Sequence, residues 1–369
     1  MENTKRLAAL DVFRGLTIAL MIVVNNPGTW DFVYPPLLHS KWNGCTPTDL
    51  VFPFFLFIVG SAMWYSYKKF NYTLTRILVL KILRRTLLIY LIGYIINAYA
   101  IFSLDPGKIR IMGILARIAL AYGIASFIVL GLHLKWVKIL TGLILLGYWA
   151  ILVIFGGDTP FSLEGNFART FDIAVLGLNH IPVFHGVKFD QTGLLSTLPS
   201  IANVLLGYLA GRLIDTSEIK TDAVKKLILY GIAGIAVAIG WNLIFPINKP
   251  LWTSSFVLYT CGFASVFLGI LYWIIDIKNF TWWIKPCQVF GMNAIFIYGF
   301  AEFIAITLYL IAIHPQSGEA VPISTWIYNT CFLPLAGNFA GSLLYALTFT
   351  FICWLSGWIL FYKKIFIKL

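Results

Sequence analysis

Charge is what this chain has least of: Asp, Glu, Lys and Arg make up 11% of its 369 residues, against roughly 25% in soluble globular domains. With 60% hydrophobic residues and a mean hydropathy of +0.86, a chain of this length has too little polar surface to fold in water. Acidic side chains are scarcer still, 15 against 27 Lys and Arg, for a formal net charge of +12. That excess invites a nucleic-acid reading, but 25 of the 27 cations fall in loops or at helix ends, where they orient a membrane protein. No nucleic-acid partner is expected. Cysteine is sparse and unpaired: Cys45, Cys261, Cys287, Cys331 and Cys353 show no CxxC spacing and most sit in apolar runs. Ordinary buried thiols are expected, with neither a disulfide framework nor a metal site. Strict apolar–polar alternation is missing too, which excludes porin-like strands. So are tandem repeats, Pro- or Gly-rich linkers, a phosphate-binding loop and a Ser-His-Asp ordering. No cleavable signal peptide is expected, because Met1 to Arg6 is short and polar and Asp11 and Arg14 interrupt the first apolar run.

What is there is a series of continuous apolar windows, each near the ~20 residues a helix needs to cross a bilayer. They predict spans near 8–27, 47–67, 84–104, 111–132, 136–156, 193–213, 225–245, 251–275, 287–313 and 339–362. The expected fold is all-α: one polytopic membrane helix bundle over residues 1–369, with about ten transmembrane helices. Residues 323–337 are too short and broken to span and read as interfacial or re-entrant. With ten spans, one face carries nineteen Lys and Arg and the other six (Lys41, Lys108, Arg110, Arg169, Lys188 and Lys249), leaving Arg14 and Arg117 inside spans. The positive-inside rule therefore places both termini in the cytoplasm. Two large outer loops are expected, 28–46 and 157–192.

Span 1 carries Asp11, Arg14 and Asn25 on one stripe, Arg14 and Asn25 being about 20° apart in azimuth and ~16 Å apart along the axis. Asp11 and Arg14, at i and i+3, can pair. A helix-packing ion pair explains that much, but charges within a membrane face a polar cavity or the bundle interior rather than lipid. Beyond Asn25 come His39 and then Trp42-Asn43-Gly44-Cys45-Thr46-Pro47-Thr48-Asp49. Thr46 at the N-cap, Pro47 at N1 and Asp49 at N3 form a capping-box pattern opening span 2. Asp49 is accounted for as a cap; the functional reading adds a helix N-terminus facing the same vestibule as His39. His39 is a base poised near neutral pH, yet His133, His180, His185 and His314 are equally available to composition and spacing.

The blocks Leu10-Asp11-Val12-Phe13-Arg14-Gly15, Val24-Asn25, His39-Ser40-Lys41-Trp42-Asn43-Gly44 and Thr48-Asp49-Leu50-Val51-Phe52-Pro53 closely resemble the heparan-α-glucosaminide N-acetyltransferase family, membrane acetyltransferases that are lysosomal in animals and have many bacterial relatives. The resemblance continues through Gly113–Ala119, Gly165–Arg169, Gly193–Pro199, Lys249–Ser255 and Phe290–Ala294. It implies transfer of an acetyl group from cytosolic acetyl-CoA to an amine acceptor, an amino sugar such as glucosamine, across a bacterial inner membrane. The family's active-site histidine maps to His39 and its neighbouring asparagine to Asn25. Two departures stand out. The animal enzyme has a lumenal domain before its first span, and the family's Asp-Pro-Glu-Gly is here Asp190-Gln191-Thr192-Gly193.

The residues suit that chemistry. A thioester needs an amine nucleophile, a base and donors for the oxyanion. His39 can be the base or a transient acetyl carrier, with the base role preferred, and Asn25 can assist either. Arg14, with Asp11 beside it, is the candidate for the CoA phosphates, and Arg117 a second. Acceptor candidates are Asp49, Trp42, Asn43, Trp252, Ser254, Asn293 and Glu302. Of these, Trp252 and Ser254 equally fit an aromatic belt with a helix cap, and Asn293 a helix–helix hydrogen bond. Partners expected besides acetyl-CoA, the acceptor and the bilayer include a second copy of the chain. The alternative from another class is an amino-sugar transporter, for which paired halves with broken helices would be the sign.

Overall fold

The computed structural model of the chain describes residues 7–103, 105–314 and 320–367. Lys5, Arg6 and Lys368 of the charge count, and Leu104 at the end of the third expected span, lie outside the described residues. The long helices are α1 (Ala8–Asn25), α2 (Val51–Lys68), α3 (Arg76–Ala100), α4 (Ile114–Gly131), α5 (Leu134–Phe155), α7 (Thr197–Thr216), α8 (Lys220–Trp241), α9 (Ser254–Tyr272), α11 (Ala294–Leu310) and α14 (Asn338–Tyr362). Shorter ones are α6 (Phe167–Leu176), α10 (Ile284–Met292), α12 (Ile323–Ile327) and α13 (Leu333–Ala336). Two small antiparallel strand pairs are also present: β1 (Val183–Phe184) with β2 (Val187–Lys188), and β3 (Ala312–Ile313) with β4 (Val321–Pro322).

Among the described residues eight helices are long and apolar enough to cross a membrane, or nine if α10 and α11 count as one span bent by 80°. The chain is thus a helical membrane protein. The difference from ten lies in α3, which is 25 residues long but carries Arg76, Lys81, Arg84 and Arg85 in its first half. The ninth expected span is not one rod: it breaks at Asn293, between α10 and α11. Residues 323–337 form only α12, a π turn and α13, too short to cross.

Helix starts follow local chemistry. Thr75, Asn166 and Thr253 accept hydrogen bonds from Leu78, Arg169 and Phe256 N–H groups at the openings of α3, α6 and α9. α1 has no cap of its own; the Asp276 carboxylate accepts the Ala8 and Ala9 N–H groups at 3.2 and 2.9 Å. Where apolar burial cannot drive helices together, association relies on close packing of small residues. Gly207 of α7 lies against the Phe57 carbonyl of α2, and Gly60 of α2 against Val204 of α7, so closely that a Cβ at either would collide with backbone. Gly15 of α1 and Gly291 of α10 are packed in the same way. These two contacts fix α1 and α2, the pair that carries the site.

Candidate active site

The loop after α1 returns to α2 through a 3-10 turn, Pro47–Leu50, and the capping box expected from Thr46 and Asp49 is present on that turn. Asp49 is fully buried. Its Oδ2 accepts the Ser40 N–H at 3.0 Å, the Thr46 N–H at 3.0 Å and the Thr46 hydroxyl at 3.1 Å. Its Oδ1 lies 2.7 Å from His39 Nδ1. Two acceptors at that distance need a proton between them, so Nδ1 carries the hydrogen and Nε2 the lone pair. No described side chain engages Nε2. One carboxylate oxygen thus closes the turn while the other sets the tautomer and angle of the imidazole.

A third group joins them from far along the chain. Lys249 Nζ lies 3.0 Å from His39 Nδ1 and 3.3 Å from Asp49 Oδ1, with only 16% of its side chain exposed. Burial lowers the Lys249 ammonium from its usual range, opposed by the neighbouring Asp49. Asn248, fully buried, builds the turn that presents it: its Oδ1 accepts the Leu251 N–H at 2.7 Å and its Nδ2 donates to Asn43 Oδ1 at 3.0 Å. Gly44 N–H donates to the Ile247 carbonyl at 2.7 Å, from a φ of +105° that favours glycine. The Trp42 indole donates to the Phe161 carbonyl at 2.8 Å and its ring packs near Phe184 and Phe189. Trp42, Asn43 and Gly44 therefore tie the His39 loop to the α5–α6 and α8–α9 connections.

His39, Lys249 and Asn25 line one cavity of about 140 Å³ with Met21, Thr48, Phe52, Ile114, Gln191, Thr192 and Trp252. No hydrogen bond within the described residues engages the Asn25 amide. Trp252 is 1% exposed and holds a left-handed φ of +55°, uncommon for so bulky a residue. Its indole donates to Asn203 Oδ1 at 2.8 Å, and the Arg117 guanidinium lies 4.6 Å from its ring centre. Gln191 and Thr192 are brought to the wall by a bidentate pair: Arg110 donates to both Asp190 oxygens, at 2.9 and 2.5 Å, and to the Thr192 hydroxyl at 2.6 Å. Burial alone would raise the Asp190 carboxyl, but Arg110 outweighs it and holds the group below its ordinary range. Nearby Asp172 has no such bidentate partner among the described residues, and burial pushes it up to about 7.

A second, larger cavity of about 690 Å³ opens at the other end of α1 and α2. Five cations line it: Arg14 of α1, Lys69 after α2, and Lys81, Arg84 and Arg85 of α3, with no carboxylate among its described lining residues. Arg14 reaches Asp11 at 3.5 Å and the Gly291 carbonyl at 3.2 Å. Arg85 lies over the Tyr122 ring at 4.7 Å. The two cavities are in line. Phe52 and Phe55 on α2, and Ile114 and Ile118 on α4, each put one residue on the first cavity and the next turn on the second.

The structure thus gathers His39, Asn25 and Trp252 at one cavity, with Asp49 behind them, and Arg14 with Asp11 at the other. Arg117 does not join Arg14: it is fully buried behind Trp252, bonded to Ser196, at the first turn of α4 nearest the His39 cavity. Trp42 and Asn43 serve the loop rather than either wall. The Ser254 hydroxyl donates to the Leu145 carbonyl at 2.7 Å. Asn293 donates to the Ile365 carbonyl and accepts from the Ile367 N–H, at 3.1 and 2.9 Å. Glu302 meets Tyr298 of its own helix. Sequence reasoning missed Lys249, Asn248 and the Arg110–Asp190 pair, and read Lys69, Lys81, Arg84 and Arg85 only within the charge count that orients the chain. The Asn248-Lys249-Pro250 string is a turn signature, but nothing in it points to His39.

Fold and cavities together define a polytopic helical membrane protein with a carboxylate-oriented histidine at one end of a helix pair and a cationic chamber at the other. Residues 6–245 match the family model described as "Heparan-alpha-glucosaminide N-acetyltransferase, catalytic", and the chain belongs to that family. It is 30% identical over 355 residues to the heparan-alpha-glucosaminide N-acetyltransferase of Mus musculus, covering 80% of this chain and 53% of the relative. It is also 30% identical over 357 residues to that of Homo sapiens, covering 79% of this chain and 52% of the relative. The chain spans about half the length of the curated relatives it matches.

Proposed function

We propose that the protein is a membrane-embedded acetyltransferase that moves an acetyl group from acetyl-CoA to an amine acceptor, an amino sugar such as glucosamine. The observation that carries this reading is the His39 imidazole: Asp49 holds Nδ1 at 2.7 Å and leaves Nε2 as the basic atom, on a cavity wall shared with Asn25. Carboxylate, imidazole and reacting group in that order are the general arrangement by which an orienting group tunes a base. The amine nitrogen bonds to the acetyl carbon and gives its proton to Nε2. The Asn25 amide donates to the carbonyl oxygen as charge builds there. The C–S bond then breaks and the thiolate recovers the proton from His39 as it leaves.

The cationic cavity supports the donor half. CoA is polyanionic, and the five cations of that lining, of which Arg14 is paired with Asp11, attract phosphates in a low-dielectric wall. About 690 Å³ lies within the usual range for a ligand pocket. With Arg14 among the phosphates, the pantetheine arm has ~16 Å of helix rise to cover before its thioester reaches Asn25. In this reading the cationic cavity faces the cytoplasm, both termini are cytoplasmic, α3 completes ten spans, and the His39 cavity faces the periplasm of a bacterial inner membrane.

One observation favours the transporter alternative: the 80° break between α10 and α11, since transporters bind substrates at broken helices. That break borders the cationic cavity through Met292 and Ala294, and no second bent pair is present among the described residues. Purified protein in liposomes with acetyl-CoA on one side and labelled glucosamine on the other separates the readings. N-acetylglucosamine appearing with the wild type and lost with His39→Ala supports the transferase. Glucosamine uptake without acetylation, unchanged by His39→Ala, overturns it.

A further inference from the structure

We propose that the Lys249 ammonium is a further catalytic group, one that faces the acyl oxygen and balances the negative charge formed there; this rests on the acyl-transfer reading above. Lys249 lines the His39 cavity together with Asn25 and His39, and no other cation is among the described residues of that wall. The charged and titratable groups around it are Asp49, His39, Cys45 and Arg117.

Its contact with Asp49 does not exhaust its role. Asp49 already accepts three bonds at Oδ2 and the His39 Nδ1–H at Oδ1, so the carboxylate is satisfied without a lysine. At 3.3 Å the ammonium touches Asp49 with one of its three N–H bonds and keeps others for the cavity. Burying a lysine is costly where a neutral residue would serve. The turn that presents it is rigid, held by Asn248, by Pro250 and by the left-handed Trp252. Preorganised charge at the place where charge develops is the arrangement that lowers a barrier most.

The charge balance is simple. When the amine attacks, the carbonyl oxygen becomes an oxyanion while His39 gains the amine proton. Lys249 and the Asn25 amide meet the oxyanion from the cavity wall. When the carbonyl re-forms and the C–S bond breaks, the charge passes to the thiolate, which takes the proton back from His39. Lys249 keeps its own proton throughout.

A merely structural lysine would act only through His39, and the choice of nucleophile separates the two. Hydroxylamine is largely unprotonated at neutral pH and needs no base. In His39→Ala, transfer to glucosamine should vanish, while enzyme-dependent transfer to hydroxylamine, corrected for the uncatalysed reaction, stays within about tenfold of wild type. In Lys249→Met both transfers should fall by about 10²–10³ in kcat, as for loss of one oxyanion donor, with donor KM little changed. Lys249→Arg, which keeps the charge and displaces it, should recover at least tenfold over Lys249→Met with both nucleophiles. Binding of CoA by each variant, read as a thermal shift, checks folding. Hydroxylamine transfer by Lys249→Met equal to that of His39→Ala overturns the proposal, as does Lys249→Arg no better than Lys249→Met in a folded protein. A wild type that acetylates neither nucleophile refutes the acyl-transfer reading itself.

Discussion

Asp49 joins the two kinds of information in this chain. The capping box was legible in Thr46-Pro47-Thr48-Asp49 because it depends on residues three apart. The same spacing leaves one carboxylate oxygen unassigned, and the fold gives it to His39. Asp49→Asn should lower transfer by about 10²–10⁴-fold by favouring the wrong imidazole tautomer, while loss of the cap and of the counter-charge beside Lys249 costs about 1–5 kcal/mol. Steady-state rates and a thermal melt measured on one preparation compare the two; a rate loss no larger than the stability loss predicts would contradict the orienting role. Asp172 gives a pH signature. Its folded value is raised to about 7 by burial, so its contribution to stability is complete below the unfolded value near 4 and is lost as pH rises through 7. Wild type should therefore lose stability between pH 5 and 8, on the order of 2–4 kcal/mol at most, and Asp172→Asn should remove that slope. Melts at pH 5 and pH 8 test it.

Between residues and fold stand the helix pairs. α1 and α2 were legible as spans, and the stripe of Asp11, Arg14 and Asn25 does place Arg14 and Asn25 on cavities. Their connection depends on α4. Phe52 and Phe55 from α2, and Ile114 and Ile118 from α4, line the two cavities from positions one helical turn apart. If the donor's arm passes there, Ile118→Trp should stop acetyl transfer while leaving CoA binding within a few-fold, since the phosphates bind beyond the obstruction. Overpacking costs about 1–3 kcal/mol, so a melt accompanies the assay. Full transfer by a folded Ile118→Trp protein would place the route elsewhere. The break at Asn293 was not legible: an amide inside an apolar run equally suits an unbroken helix, and what ends α10 there includes its bonds to Ile365 and Ile367.

Across the whole molecule, the scarcity of carboxylates that marks the composition reappears as a chamber of five cations. Lys69, Lys81, Arg84 and Arg85 entered the sequence reading only as charges counted under the positive-inside rule, which concerns which end of a helix holds charge. That rule is silent on whether the charges turn to lipid headgroups or inward. If they hold CoA phosphates, Arg84→Gln and Arg85→Gln should each raise donor KM about tenfold, with kcat changed less, and moderate salt should weaken donor binding in the wild type more than in the variants. Unchanged donor KM in both would return them to a purely orienting role.

By itself the sequence determined the membrane class, the helical character, most span positions, the caps and the neighbourhood of His39 and Asp49. All of these rest on composition or on contacts within a turn or two, where chain geometry leaves little choice. Only the tertiary structure decided that Lys249 joins His39 from 210 residues away, that Arg110 pairs with Asp190, that Arg117 is sealed behind Trp252 and that the cations of α3 face Arg14. Such contacts carry no period along the chain. They follow from how the helices rotate and close on one another, which glycine contacts such as Phe57–Gly207 set.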